Sequence, residues 1–292
     1  MENNEENEKE YSFKNDYSEG AHPNILKTLS ETNLEQQAGY GKDDYSQKAI
    51  NVLRNKMQTK DIDIHFVSGG TQANLIVISS ILKQYESVIA ADTGHINTHE
   101  AGAIEATGHK INTVDSKNGK LSPEDIKPVL EQHTDEHMVR PKLVFISNPT
   151  ELGTVYTKGE LVELDSFCKA NDLLLYLDGA RLGSALCSSG SDLTLSELVE
   201  LVDVFYIGGT KNGALCGEAI IINNDQIKEN FRYNLKQKGA LFAKGRVLGI
   251  QFFELFKDDL YFSLAKHANS MADKLSKNIE RLGYEFLNQN NS

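Results

Sequence analysis

Seven short apolar runs recur along the chain, at residues 62–67, 87–91, 110–114, 142–147, 173–177, 202–207 and 218–222. Several are unbroken: Leu143-Val144-Phe145-Ile146, Leu173-Leu174-Leu175-Tyr176-Leu177 and Val204-Phe205-Tyr206-Ile207. A half-exposed strand alternates apolar and polar residues, so continuous apolarity predicts strands covered on both faces, as in a largely parallel sheet. Between them the period predicts helices over 72–85, 97–107, 123–131, 159–170 and 195–201. Ser122-Pro123-Glu124-Asp125 sets a cap, a first-turn proline and two acids in the order a helix start requires. Strand–helix alternation predicts an α/β sandwich with a doubly wound sheet. After residue 237 the pattern changes to helical periods over 247–256 and 264–282, then a short strand-like run at 283–287. The expected organisation is an acidic, disordered lead (1–12), a large domain (13–240) and the start of a small C-terminal α/β domain (241–292), cut short.

Composition narrows the classes. Apolar residues make up 39% and charged residues 25% of 292, an ordinary globular balance. The net charge of −12 makes nucleic acid a poor partner. No apolar run is long enough for a membrane helix, and the N-terminus lacks a signal-peptide layout. Cys168, Cys187 and Cys216 form no close pair and no metal-type spacing, so reduced thiols, no metal centre and a cytoplasmic location are expected.

In a doubly wound sheet ligands sit beyond the carboxyl ends of the strands. Three strand-end loops carry chemistry. Ser68-Gly69-Gly70-Thr71 joins a strand to a helix, where glycines and a helix N-terminus form a phosphate cradle or a purely structural turn. Asp178-Gly179-Ala180-Arg181 ends a wholly apolar strand; an acid there needs a cation, such as a pyridinium nitrogen, unless it caps the next helix or pairs with Arg181. Gly208-Gly209-Thr210-Lys211 sets a lysine among glycines, either an exposed turn residue or an amine for Schiff-base chemistry. The three together supply the phosphate site, the ring-nitrogen partner and the aldehyde partner of pyridoxal 5′-phosphate (PLP), which tips each ambiguous loop toward function. His95, after the strand at 87–91, is placed to stack on a ring or move a proton, or to serve as an ordinary helix-start residue. His99 and Glu100 follow one turn on. Gly39 to Tyr45 reads as a mobile loop, with Tyr40 as a cofactor contact or a packing residue.

At these residues the sequence resembles the low-specificity L-threonine aldolases, within the β-eliminating lyase group of fold-type-I PLP enzymes. The pieces that carry the likeness are Gly70-Thr71-Gln72-Ala73-Asn74, the stretch from His95 to Gly102, Asp178-Gly179-Ala180-Arg181 and Thr210-Lys211-Asn212-Gly213. The resemblance implies a PLP-dependent transferase-like fold with a mostly parallel sheet, and a homodimer or homotetramer whose sites are completed by a neighbour. Lys211 would carry the cofactor, Asp178 the ring nitrogen, and Gly69, Gly70 and Thr71 the phosphate, with Thr210 beside the lysine. His95 would stack on the ring and Arg181 would take the substrate carboxylate. Lys244 or Arg246 would reach a partner's phosphate. The implied reaction is retro-aldol cleavage of a β-hydroxy-α-amino acid to glycine and an aldehyde.

The chain departs from the family pattern in places. The loop Asn148-Pro149-Thr150-Glu151 lacks the usual histidine near the substrate hydroxyl, so Glu151 or His99 stands in as the expected proton acceptor. Asn15-Asp16-Tyr17-Ser18-Glu19 replaces the usual first substrate loop. These departures keep open a β-eliminating lyase or aminotransferase-like enzyme acting on another small amino acid, and an inactive protein that binds a ligand or partner.

Overall fold

In the computed structural model, which describes residues 11–286, the apolar runs become one seven-stranded sheet. Its strands are β1 (Asp63–Val67), β2 (Glu86–Ala91), β3 (Ile111–Val114), β4 (Arg140–Ser147), β5 (Leu174–Asp178), β6 (Val204–Gly208) and β7 (Glu218–Ile222). The order across the sheet is β1-β7-β6-β5-β4-β2-β3. Only β7 runs antiparallel to its neighbours. Every residue of β2, β6 and β7 is buried, which is why those runs do not alternate.

Helices close both faces: α1 (Pro23–Glu31), α2 (Asp44–Met57), α3 (Gly70–Ile81), α4 (His95–Thr98), α5 (Pro123–Gln132), α6 (Lys158–Ala170), α7 (Leu182–Leu186), α8 (Leu195–Leu201), α9 (Asp225–Lys228), α10 (Phe231–Gln237), α11 (Arg246–Lys257) and α12 (Leu260–Arg281). Alternate residues of each strand feed two cores. Val144, Ile146, Leu175 and Leu177 pack with Leu53 of α2, Leu164 of α6 and Phe252 of α11. Leu143, Phe145 and Tyr176 pack on the other side with Ile76 of α3 and Phe231 of α10. Each such side chain contributes about 1.5–3 kcal/mol by leaving water.

The start at Ser122 holds: Ser122 and Asp125 form a capping box, with Pro123 first in α5. The helix expected over 97–107 does not run through. It breaks into α4 and a 3₁₀ turn at Glu105–Thr107, because Ala101 and Gly102 take positive φ of 50° and 72°. No helix was expected over residues 23–57, where α1 and α2 form. Asp43 caps α2 by accepting the Ser46 N–H at 2.8 Å, and the buried Ser46, Ala49, Leu53 and Met57 share one helical face. Of residues 241–292, α11 sits in the first core, whereas α12 buries only Tyr261 and Ala265 before running out to the surface. Residues 283–286 form no strand; Leu287 and residues 1–10 of the expected lead lie outside the described residues.

Candidate functional site

The parallel strands deliver five loops to one edge of the sheet, those after β1, β2, β4, β5 and β6. Antiparallel β7 starts at the same edge with Glu218. The loops after β5 and β6 lie in such close contact that only glycine fits. A Cβ on Gly179 would stand 2.0 Å from the Tyr206 carbonyl oxygen, and one on Gly208 would stand 2.2 Å from that of Ala180. A cavity of about 270 Å³ opens between the loops. Ser68 to Thr71, His95, Glu151, Asp178, Arg181, Thr210 and Lys211 all line it.

The floor is a buried hydrogen-bonded network. Asp178 is 4% exposed; its Oδ1 accepts the Tyr206 hydroxyl at 2.5 Å and the Ala180 N–H at 3.0 Å. Its Oδ2 accepts Asn74 Nδ2 at 3.1 Å. Asn74, fully buried in the first turns of α3, also donates to Glu100 Oε1 at 2.7 Å and accepts the Tyr176 hydroxyl at 2.7 Å. Glu100 reaches His95 Nδ1 at 2.8 Å, and this bond raises the His95 pKa against an opposing effect of burial, with the Asp178 and Glu100 charges helping. Burial first, and then Asp178, push the Tyr206 hydroxyl well above its ordinary range, so it stays a donor. Among the described residues Asp178 has no cationic salt-bridge partner, although it is buried.

The rim is looser. The Lys211 amine makes no hydrogen bond or ion pair among the described residues and lies 6.0 Å from the centre of the Tyr17 ring. Thr210 Oγ1 donates to Glu218 Oε1 at 2.8 Å. Arg181 grips Asp16 with both prongs of its fork, at 2.5 and 3.1 Å. Glu151 Oε1 accepts the His95 N–H at 2.9 Å and the Ser147 hydroxyl at 2.8 Å, leaving Oε2 without a hydrogen bond among the described residues.

The sequence-expected residues therefore meet at one cavity, with exceptions. His99 does not line it; its ring stacks on His95 at 5.5 Å from outside, with Nδ1 tied to the Thr98 hydroxyl at 2.6 Å. Arg246 donates to the Thr32 hydroxyl at 2.9 Å and to the Glu35 carbonyl at 2.8 Å. Asp178 neither caps a helix with its side chain nor pairs with Arg181, whose partner is Asp16. Tyr40 lines a separate small pocket beside His65. Asn74, Tyr206, Glu218 and Asp16 were missed as site residues. A signal existed for Asn74, a polar residue among Ala73, Ile76 and Val77, and for Glu218, a charge opening an apolar strand; Tyr206 inside Val204–Ile207 gave none.

Comparison with known proteins assigns the site to a family. The model of the beta-eliminating lyase family matches residues 16–292. The chain belongs to the beta-eliminating lyase family. Within it, the low specificity L-threonine aldolase of a Pseudomonas species (strain NCIMB 10558) is 36% identical over 280 residues, covering 94% of this chain and 80% of that protein. A solved threonine aldolase of Leishmania major is 52% identical, with a TM-score of 0.94 over 95% of this chain and 81% of that one. An aspartate aminotransferase of Thermus thermophilus shares the fold alone, at 14% identity and a TM-score of 0.71, over 92% of this chain and 71% of that one. The fold is thus fold type I, as the sequence implied.

The cofactor of the beta-eliminating lyase family is PLP, and the donor set here fits it. A buried carboxylate without a cation faces the cavity at Asp178, suited to a protonated ring nitrogen. The N-terminus of α3 presents backbone N–H groups with no intrahelical acceptor, suited to a phosphate. A Cβ on Gly69 would meet nothing within 4 Å, so that end of the cavity stays open. The Lys211 amine is free to take an aldehyde. Among the described residues no helix is long and apolar enough to cross a membrane.

Proposed function

We propose that this protein is a PLP-dependent carbon–carbon lyase that cleaves a β-hydroxy-α-amino acid of the threonine or allo-threonine type to glycine and an aldehyde. The observation that carries the reading is the meeting of a lysine amine without an ion pair, a buried carboxylate without a cation and a helix N-terminus on one cavity, among the described residues of a chain 36% identical to a threonine aldolase. When bound, the cofactor supplies an electron sink for the charge left at the substrate Cα. Lys211 would hold its aldehyde carbon, Asp178 its ring nitrogen, and Gly69 with the Gly70 and Thr71 N–H groups its phosphate. His95, fixed through Nδ1 by Glu100, would stack on the ring.

Arg181 binds the substrate carboxylate once Asp16 yields its place, since the same fork takes only one carboxylate at a time. Glu151 Oε2 accepts the proton of the substrate β-hydroxyl. Its other oxygen is held by Ser147 and by the His95 N–H, which aims the free one. His99 lies outside the cavity, so the proton falls to Glu151.

The protein works in the cytoplasm as a homodimer or homotetramer. Free cysteines support the compartment, and the large exposed side chains Leu34 (93%) and Tyr233 (79%) support self-association. The deciding assay supplies PLP-loaded protein with threonine, allo-threonine, serine and cysteine in turn. Glycine with acetaldehyde from the first two is expected. Pyruvate from serine or cysteine, with no glycine from threonine, would transfer the chain to β-elimination. Sedimentation then reads the assembly, and a monomer at working concentration sinks the oligomer reading.

A further inference from the structure

Glu218 is an acid where the sheet needs none. It opens β7, whose other residues are Ala219, Ile220, Ile221 and Ile222, and all five positions are buried. Burying a carboxyl in such a place is unfavourable unless its oxygens find donors. Glu218 Oε2 accepts the Gly209 N–H at 2.9 Å, and Oε1 meets Thr210 Oγ1 at 2.8 Å. Thr210 Oγ1 also accepts the Gly217 N–H at 3.0 Å, while the Gly209 and Thr210 N–H groups reach the Gly217 carbonyl at 3.0 and 3.2 Å. All of these bonds fall on the two residues directly before Lys211.

Packing closes around the same loop, with Phe252, Leu264 and Leu248 against the backbone at Gly209, Gly213 and Gly217, so the hydrogen bonds act on a segment with no room to shift. Gly208, Gly209, Gly213 and Gly217 bring no side chains, and a Cβ on Gly209 would stand 2.7 Å from the Gly217 carbonyl oxygen. The Lys211 amine has no hydrogen bond of its own among the described residues, so its direction into the cavity is set by the backbone that carries it.

We propose that Glu218 is a positioning residue for Lys211: from the floor of the cavity it clamps Gly209 and Thr210 and so aims the amine at the cofactor aldehyde. The proposal rests on the reading of Lys211 given above. Burial pushes the Glu218 carboxyl up to about 8, against the bonds from Thr210 and Gly209; Asp178 adds to the rise and Lys211 opposes it. The charge of the same acid raises the hydroxyls of Tyr176, Tyr206 and Tyr261 further, after burial, which is the larger cause. In the uncharged acid Oε2 still accepts the Gly209 N–H, while Oε1 carries the proton and turns from acceptor to donor toward Thr210 Oγ1. A glutamine side chain reproduces that pattern; an alanine removes it.

Two measurements test the clamp: the pH midpoint for acylation of the Lys211 amine in the cofactor-free protein, followed by peptide mass spectrometry, and PLP affinity by visible absorbance. Glu218→Ala is expected to weaken PLP binding about tenfold, the loss of one well-placed buried hydrogen bond. It should also move the Lys211 midpoint by about half a unit through the displaced amine. Glu218→Gln should restore both. If Glu218→Ala does not fold, Thr210→Val breaks the same clamp from the other side and should give the same midpoint shift. An unmoved midpoint in either variant, or a glutamine as damaging as the alanine, overturns the proposal. A wild-type chain that takes up no PLP would sink the cofactor reading instead, and the amine midpoint would still judge the clamp.

Discussion

The floor and the rim of the cavity are built on opposite terms. On the floor, Asp178, Asn74, Tyr176 and Tyr206 are buried and tied to one another, with both Asp178 oxygens in use. On the rim, Lys211 has a free amine, Glu151 a free oxygen, and Arg181 is held by an acid from a segment with exposed Tyr11, Phe13 and Tyr17. Groups locked by packing and hydrogen bonds cost no reordering when a ligand arrives, and groups at the surface can exchange partners. The floor therefore suits the ring of a resident cofactor, whereas on the rim Arg181 and Glu151 suit a substrate that comes and goes, and only Lys211 there is given to the cofactor. Cofactor retention and turnover should respond differently to damage in the two places.

The largest effect should come from the rim residue with covalent work. Lys211→Ala is expected to abolish both turnover and the yellow colour of PLP-loaded protein, because no other amine lines the cavity among the described residues. Colour that survives dialysis in this variant would show that the wrong lysine had been chosen. The next effect belongs to the floor. Asp178→Asn keeps the volume but presents an amide to the ring nitrogen and disrupts the acceptor set of Tyr206 and Asn74. A loss of kcat of about 10²–10³-fold is expected, the scale of removing one aligned electrostatic partner. A variant within a few-fold of wild type would mean that the buried acid serves the fold alone. On the rim, Glu151→Gln should lower kcat by about 10²-fold at unchanged PLP affinity, the low end for a general base. Weakened cofactor binding in that variant would move Glu151 from the rim to the floor.

The same contrast explains what the chain disclosed before folding. Rim and loop residues announced themselves by composition: Gly208-Gly209-Thr210-Lys211 and Asp178-Gly179-Ala180-Arg181 break apolar runs with residues that strand packing does not ask for. The strands β2, β6 and β7 were legible because burial on both faces leaves a nearly unbroken apolar string, whereas β1 and β3, only partly buried, showed as short β-branched or apolar runs between helical stretches. Floor partners were harder to read. Tyr206 is an ordinary β-sheet residue by type, and only the register that sets β6 beside β5 brings its hydroxyl to Asp178. Asp16 is 165 residues from Arg181, and no local pattern encodes a contact at that distance. The helix expected over 97–107 failed for a local reason, the positive φ of Ala101, which helical periodicity does not register.

His95 joins the two regions: its ring is tied to the floor through Glu100, and its N–H holds Glu151 on the rim. The bond to Glu100 raises its pKa in the folded protein above the ordinary 6.5. A group whose pKa is raised by folding binds its proton more tightly in the folded state, so its contribution to stability is complete below about 6.5, the unfolded value. The contribution is lost as pH climbs through the higher folded value. Denaturant melts of wild type and His95→Asn between pH 5 and 9 should therefore differ most at the acid end and converge at the alkaline end. The effect is the smallest of those expected, because the ring is partly in water. A gap that widened with pH would mean that the folded protein holds the imidazole neutral, and that the histidine belongs to the rim rather than to the locked network beneath it.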